Sequence, residues 1–161
     1  VLQFSPESLE KCRQIVEKLG DREAALIPVL YIAQDEFDWL SNEAMDCVAE
    51  QLELPSTRVY GVATFYTMFN KKPVGEYHLQ VCTNLSCSLL GAEHLVEYLS
   101  RRLGIGVGET TPDNKFTLST VECLGSCGTA PMMQINDEYY ENLTEEKIDQ
   151  VLEDLSKKAG K

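Results

Sequence analysis

Residues 77–87 read YHLQVCTNLSC, a strand-like run that leads into two cysteines, Cys82 and Cys87, with four residues between them. A later run, FTLSTVECLGSC, leads in the same way into Cys123 and Cys127, which have three residues between them. Both runs are rich in β-branched and apolar residues before the first cysteine, and this composition favours a strand. We therefore expect two loops, each at the end of a strand, that together present four thiols in two pairs.

Four cysteines in two close pairs suit a soft metal centre, because thiolates are preferred by zinc and by iron–sulfur clusters. Two irons bridged by two sulfides need four thiolates, two for each iron. The simplest assignment gives Cys82 and Cys87 to one iron and Cys123 and Cys127 to the other. In plant-type ferredoxins a third cysteine follows the first pair after two further residues, and here Leu90 holds that position. The spacing thus predicts a [2Fe–2S] protein of a different class.

Other uses of the same cysteines stay open at this level. A structural zinc site usually carries C-x2-C pairs, although wider spacings occur, and it would make the chain an interaction domain without a redox role. A dithiol catalyst normally shows one C-x2-C pair, and disulfides need an oxidising compartment. Cys12 and Cys47 lie beside apolar helical stripes, where a cysteine behaves as a small buried hydrophobe. We therefore leave both out of the site.

Other catalytic signatures are scarce in this sequence. His78 and His94 fall in no motif with metal-ligand spacing, so we interpret both as structural. No Gly-x-Gly-x-x-Gly motif and no phosphate-binding loop occurs in the chain. We therefore expect neither a flavin nor a nicotinamide nucleotide on this chain, and the electron donor and acceptor of its cluster must belong to other proteins.

The composition is that of a globular protein with an acidic surface. The 161 residues are 43% hydrophobic and 25% charged, and the formal net charge is −12. Nucleic-acid binding needs clustered Lys and Arg, so we expect no nucleic-acid partner. No apolar run approaches the length of a membrane span, and residues 1–6 lack the basic and apolar segment of a secretion signal. We therefore expect no direct membrane insertion and a reducing compartment.

Residues 1–72 predict a small helical bundle. Apolar residues recur at helical spacing from an N-cap at Ser5 to a stop at Gly20. Further helices are predicted over 22–34, after Ser41 or Asn42, and from Pro55 to Ala63. The aromatic side chains of Phe65, Tyr66 and Phe69 face either the core or a partner. The turn-rich stretch KKPVG, residues 71–75, marks the boundary with the next domain.

Residues 73–161 predict a mixed α/β domain in the order strand, helix, strand, hairpin and helix. This is the order of a thioredoxin-like layer, a small mixed sheet covered by helices. The predicted elements are a strand at Tyr77–Cys82, a helix with Leu89, Ala92, Val96, Leu99 and Leu103 on its core face, a strand at Phe116–Glu122, a hairpin over 131–140, and a helix capped by Thr144. The whole chain is therefore predicted to be α/β, with the helical bundle first.

Four stretches together resemble one known family. The run VYGVATFYTMF begins at Val59, VCTN contains Cys82, ECLGSC contains Cys123, and APMMQIN begins at Ala130. Each stretch alone is a weak signal, but the four in this order are specific. From about Pro28 to its C-terminus the chain resembles the E subunit of NADH-quinone oxidoreductase, the respiratory complex I.

The resemblance implies a thioredoxin-like ferredoxin domain with one [2Fe–2S] cluster on Cys82, Cys87, Cys123 and Cys127, which match the family's ligand positions. It also implies a larger partner subunit that carries FMN, the NADH site and a [4Fe–4S] cluster, as a heterodimer within a multi-subunit complex. The chain would then exchange single electrons with that FMN and would hold no complete active site alone. The helical bundle would serve docking or support.

Subunits of NAD-linked hydrogenases and formate dehydrogenases share this pattern. The resemblance therefore also allows an equivalent diaphorase subunit of such an enzyme. As part of complex I, which passes electrons from NADH to quinone, the chain is expected in the bacterial cytoplasm, peripheral to the inner membrane. In a eukaryote the equivalent place is the matrix side of the mitochondrial inner membrane.

Overall fold

The computed structural model describes residues 2–157, which form two compact units divided between Pro73 and Val74. Val1, part of the segment searched for a secretion signal, and residues 158–161, at the end of the predicted second domain, lie outside the described residues. In the part of the chain that the structure describes, no helix combines the length and the apolar composition needed to cross a membrane.

The described part of the N-terminal unit is helical. Its elements are α1 (Pro6–Leu19), α2 (Leu26–Phe37), α3 (Asn42–Leu52) and α4 (Ser56–Phe65). The Ser5 hydroxyl accepts a hydrogen bond from the main-chain N–H of Ser8 at 3.2 Å, and the Ser41 hydroxyl accepts one from Ala44 at 3.1 Å. Because an N-cap satisfies donors that have no partner within the helix, these two serines determine where α1 and α3 begin.

One apolar core joins these helices. It contains fully buried residues of α2, α3 and α4 and the segment after α4, among them Val29, Leu30, Ala33, Val48, Leu52, Val59, Ala63 and Phe69. Each large side chain in such a core stabilises the folded state by about 1.5–3 kcal/mol through burial. The aromatic run divides between two environments, since Phe69 is buried and Phe65 is 77% exposed.

Helix α2 begins at Leu26, four residues later than the prediction. The main-chain N–H of Glu23 donates to the Asp21 side chain at 2.7 Å, so this segment forms a turn in place of a helical start. The later start places Pro28 in the first turn of α2. A proline is tolerated there, because the N–H that it lacks has no helical partner in the first turn.

The C-terminal unit alternates strands and helices. Its elements are β1 (Tyr77–Cys82), α5 (Leu85–Leu89), α6 (Ala92–Leu103), β2 (Phe116–Val121), a 3₁₀ turn (Cys127–Thr129), β3 (Met133–Ile135), β4 (Glu138–Tyr140) and α7 (Glu145–Lys157). The strands form one mixed sheet in the order β2-β1-β3-β4. Strand β1 is parallel to β2 and antiparallel to β3, and β3 is antiparallel to β4. The predicted α/β class, with a small mixed sheet and helices, is confirmed.

The sheet and the two longer helices of this unit share one core. Strands β1 and β2 contribute Leu79, Val81 and Leu118, whereas α6 and α7 contribute Leu99 and Ile148, all of them fully buried. The branched side chains of the strands fill the layer between sheet and helices, as is usual for a half-covered sheet. This packing fixes the carboxyl ends of β1 and β2 relative to each other.

The predicted helix after Cys82 is two helices. Gly91 has a φ of 88° and separates α5 from α6, because this left-handed conformation ends one helix before the next begins. As a result Leu89 does not lie on the core face of α6 as predicted. It is 77% exposed at the end of α5.

Candidate metal centre

The four cysteines lie in two segments at the same end of the sheet. Cys82 is the last residue of β1 and Cys87 lies in α5. Cys123 comes two residues after β2, and Cys127 begins the 3₁₀ turn. Since β1 and β2 are parallel neighbours in register, with Cys82 opposite Val121, their carboxyl ends meet at one edge. This is the pairing of loops that the sequence predicts.

The first pair of cysteines is buried. Cys82 is 4% exposed and Cys87 is 2% exposed, and both pack with Ala92 and Met132 in a small apolar cluster. The Asn84 side chain accepts a hydrogen bond from the main-chain N–H of Leu85 at 2.7 Å and so caps α5. The cap orients the short helix that carries Cys87. Cys82 and Cys87 therefore pack against a buried apolar surface formed by Ala92 and Met132.

The second pair of cysteines is exposed. The main-chain N–H of Gly125 donates to Cys123 Sγ at 3.3 Å. Gly125 has a φ of 79°, a left-handed conformation that favours glycine over residues with a side chain. This turn aims a main-chain donor at the sulfur, and such donors stabilise a thiolate or a cluster sulfur.

The two segments bring the sulfurs within hydrogen-bonding or electrostatic reach of one another. Burial alone raises the pKa of Cys82, but hydrogen bonds from the main chain of Asn84 and Leu124, and from the Cys87 and Cys123 thiols, outweigh it and hold that pKa below its usual value. Burial, followed by the adjacent Cys82, raises the pKa of Cys87, which also lies within electrostatic reach of Cys127. All four predicted site residues therefore lie at one end of the sheet, with main-chain donors at the Cys82 sulfur.

The arrangement fits a two-iron cluster by its donor set. Four free thiols stand in one place, in two pairs, with main-chain donors directed at the sulfurs and an apolar wall behind them. Among residues 2–157, no three His, Cys, Asp or Glu side chains are grouped so as to surround a single metal ion. A cluster of two irons requires only two thiolates at each iron.

The remaining cysteines and histidines belong to other environments. Cys12 lies in the core of the N-terminal unit, where burial raises its pKa to about 11, and the half-buried Cys47 packs against that core. The ring of His78 hydrogen-bonds the Ser119 hydroxyl at 2.7 Å, and burial lowers the pKa of this histidine. His94 pairs with Glu145 at 2.7 Å on the surface. None of these four side chains adds a ligand to the centre.

A set of polar side chains around the second loop has no counterpart in the sequence predictions. The Glu141 carboxylate accepts hydrogen bonds from the Ser126 hydroxyl and, at 2.6 Å, from the Thr129 hydroxyl. The hydrogen bond from Ser126, followed by the one from Thr129, lowers the pKa of Glu141, so the carboxylate stays ionised. The Tyr139 hydroxyl donates to the Leu124 carbonyl at 2.8 Å. No motif spacing reports these contacts, because they depend on how the β3–β4 hairpin folds back beside the loop.

Comparison with known proteins agrees with this architecture. The family model described as thioredoxin-like [2Fe–2S] ferredoxin matches residues 12–156. An NAD⁺-reducing [NiFe]-hydrogenase in its air-oxidized state shares the fold with a TM-score of 0.71 and 23% identity, over 81% of this chain and 22% of that chain.

Relatives match over nearly their whole length. The E subunit of NADH-quinone oxidoreductase from Rickettsia felis is 46% identical over 95% of this chain and 93% of the relative. The E subunit of Rickettsia conorii is 44% identical over 94% and 93%, and the E 2 subunit of Rhizobium meliloti is 46% identical over 89% and 86%. The predicted resemblance is confirmed: the chain belongs to the thioredoxin-like [2Fe–2S] ferredoxin family and, within it, groups with the E subunits of NADH-quinone oxidoreductase.

Proposed function

We propose that this chain is the electron-transfer subunit of the NADH dehydrogenase module of a respiratory complex I. In this proposal Cys82, Cys87, Cys123 and Cys127 hold one [2Fe–2S] cluster. When bound, the cluster would supply one-electron chemistry and exchange single electrons with the FMN of a larger partner subunit. The observation that carries the proposal is the meeting of four free thiols at one sheet edge in a chain 46% identical to an E subunit of NADH-quinone oxidoreductase.

The two pairs of cysteines would hold the cluster in different surroundings. Cys82 and Cys87 form the inner pair, where the apolar wall around Met132 excludes water. Cys123 and Cys127 form the outer pair on the exposed loop. The main-chain donors at Asn84, Leu124 and Gly125 would offset part of the negative charge of four thiolates. The outer pair would then be the side of the site nearest to a redox partner.

An apolar surface beside the cysteines supports a protein partner at this site. Leu85, Leu89 and Leu90 lie on or directly after α5, close in sequence to Cys87, and all three are more than half exposed. Exposed apolar groups gathered in one place usually mark a contact with another protein. We assign this surface to the larger subunit that carries FMN, the NADH site and a [4Fe–4S] cluster. The peripheral location at the membrane stays a prediction that follows from this assignment.

Two alternatives are less well supported. A diaphorase role in an NAD-linked hydrogenase rests on a likeness of fold alone at 23% identity, whereas the relatives from NADH-quinone oxidoreductase match at up to 46% over nearly the whole chain. None of the relatives described above is a formate dehydrogenase. A zinc-stabilised interaction domain conflicts with the family match over residues 12–156.

The test is a ligand scan of the full chain. The wild type and single Cys→Ser variants are reconstituted anaerobically with iron and sulfide, and bound iron, sulfide and zinc are measured. We expect about two irons and two sulfides per wild-type chain, with a large loss at each of the four site positions. The matched controls Cys12→Ser and Cys47→Ser keep the full content. Zinc without sulfide in the wild type, or equal losses in the controls, contradicts the proposal.

A further inference from the structure

The loop that carries Cys123 and Cys127 has little support of its own. Both cysteines are exposed, and the 3₁₀ turn that begins at Cys127 has only three residues. Within the loop, the main-chain N–H of Thr129 donates to the Ser126 carbonyl at 3.2 Å. Such a short turn makes too few hydrogen bonds to determine the distance between the two sulfurs. The geometry of the outer pair must therefore come from neighbouring segments.

Side chains of Tyr139 in β4 and of Glu141, the residue directly after β4, provide this support on both sides of Cys127. The Tyr139 hydroxyl donates to the carbonyl of Leu124 at 2.8 Å, before Cys127. The Glu141 carboxylate oxygen Oε1 accepts the hydroxyl protons of Ser126 and Thr129, which are the flanking residues on either side. The two hydroxyl oxygens lie 2.8 Å apart, so that each is within hydrogen-bond distance of the other as well as of Oε1.

Glu141 is itself held in place by the main chain. The N–H of Asn142 donates to the Thr129 carbonyl at 2.7 Å, and the N–H of Leu143 donates to the Pro131 carbonyl at 2.9 Å. The Lys147 ammonium donates to the Glu141 carbonyl at 2.5 Å. Residues 141–143 therefore run beside the loop as a fixed segment, and Glu141 is placed to act on it.

We propose that Glu141 is a positioning residue for the cluster. By holding the Ser126 and Thr129 hydroxyls as a clamp, Glu141 would set the position of Cys127 relative to Cys123. The proposal rests on the assignment of a [2Fe–2S] cluster to these cysteines. A hydrogen bond to a charged acceptor is among the stronger ones in proteins, and two of them close on one carboxylate oxygen here. Without the clamp, the outer pair of thiolates would sample separations that fit the cluster poorly.

The central variants are Glu141→Leu, which removes the acceptor, and Glu141→Gln, which keeps an amide oxygen able to accept both protons. Glu138→Leu is the matched control, because Glu138 lies in the same hairpin, is exposed, and pairs with Ile135 at the end of β4 remote from the loop. A second route removes the donors with Ser126→Ala and Thr129→Val. If Glu141 acts through these two hydroxyls, adding Glu141→Leu to that double variant produces little further change in hydrogen exchange or in the rate of iron loss.

Two measurements separate this proposal from the proposed function. The first is amide hydrogen exchange over residues 123–129 in the apo-protein. The second is the rate at which iron is lost to an excess of chelator, followed by the visible absorbance of the reconstituted chain. For Glu141→Leu we expect both rates to rise by at least about 10-fold, the change that corresponds to the loss of even one of the two hydrogen bonds to the charged group. We expect Glu141→Gln and Glu138→Leu to stay within about 3-fold of the wild type.

Each outcome decides a different point. Unchanged exchange in Glu141→Leu overturns the clamp whether or not a cluster binds. Faster exchange with an unchanged rate of iron loss overturns the role of the clamp in cluster retention. A wild-type chain that binds no two-iron cluster overturns the proposed function and this role with it, and that result is visible before any variant is made. A rise in both rates for Glu141→Leu, with rescue by glutamine, supports the proposal.

Discussion

The six cysteines of this chain occupy three kinds of environment, and each environment predicts a different behaviour. Cys12 is fully buried in a helical core and the half-buried Cys47 packs against that core, Cys82 and Cys87 are buried beside other thiols, and Cys123 and Cys127 are exposed in a loop. Thiolate character depends on charge and on hydrogen-bond donors, and not on the residue type alone. Burial raises the pKa of Cys12 and of Cys47 despite a main-chain hydrogen bond at each sulfur, whereas at Cys82 the hydrogen bonds outweigh burial.

The pKa of Cys12 predicts a loss of stability in alkaline solution. Burial raises this pKa to about 11 in the folded chain, whereas an unfolded cysteine titrates near about 8.5. Between these values the unfolded state releases a proton that the folded state keeps, so the free energy of unfolding falls as pH rises. At pH 11 the loss from this one thiol is up to about 3 kcal/mol.

The measurement is urea unfolding of the wild type and Cys12→Ala at several values between pH 8 and pH 11. Fluorescence of Trp39, the single tryptophan, reports on the helical unit that contains Cys12. The alanine variant is expected to be less stable at pH 8, because it leaves a small cavity, and to lose less stability as pH rises. Parallel curves for the two proteins would show that Cys12 does not titrate in this way.

At the scale of single elements, α5 combines two roles in five residues. It carries Cys87 on its buried side and Leu85 and Leu89 on its exposed side. A short helix of this kind is stabilised by its Asn84 cap and by packing, since its own hydrogen bonds are few. The exposed leucines add little to that packing, and the proposed contact with a partner would account for them.

The variant Leu89→Asp tests this role of α5. We expect the chain to fold and to hold its cluster with unchanged content, because Leu89 makes little contact within the unit. We expect its affinity for the flavin-bearing subunit to fall at least about 10-fold, as is typical of an apolar anchor in an interface.

Val107→Asp is the control, since Val107 is also apolar and half exposed. Binding is measured by calorimetry on the reconstituted chain. Equal affinities of the two variants would exclude α5 from the interface.

The elements differ in how far the sequence predicts them, for physical reasons. Strand β1 lies at Tyr77–Cys82 as predicted, because alternating apolar residues end at a turn. The break at Gly91 is not predicted, since a glycine inside an apolar helical pattern does not reveal its φ. The local spacing of the four cysteines predicts that they form one metal site. It does not predict their support by Glu141 and Tyr139, because those contacts depend on tertiary folding of the hairpin.

At the scale of the whole molecule, the cluster would link segments that are distant in sequence. Cys87 and Cys123 are separated by thirty-five residues that include α6 and β2. A cross-link over such a loop lowers the entropy of the unfolded chain, by analogy with a disulfide, by an amount worth roughly 4 kcal/mol. The C-terminal unit should therefore depend on its cluster more than the helical unit does.

This difference predicts an apo-protein that is less stable in one unit. On removal of the cluster we expect the melting temperature of the C-terminal unit to fall by at least about 10 °C. The transition reported by Trp39 in the N-terminal unit is expected to change little. Calorimetry of holo- and apo-protein, with Trp39 fluorescence followed in parallel, resolves the two units. Identical melting profiles would show that the cysteines do not form a stabilising cross-link.

In the proposed function, Cys82, Cys87, Cys123 and Cys127 hold one cluster of two irons that accepts one electron. The most direct measurement is electron paramagnetic resonance of the anaerobically purified chain before and after reduction with dithionite, with the spins counted against the protein. We expect no signal in the oxidised chain and, after reduction, a rhombic or axial signal of about one unpaired electron per chain. A chain that gives no signal after reduction and carries zinc in place of iron and sulfide would contradict this claim.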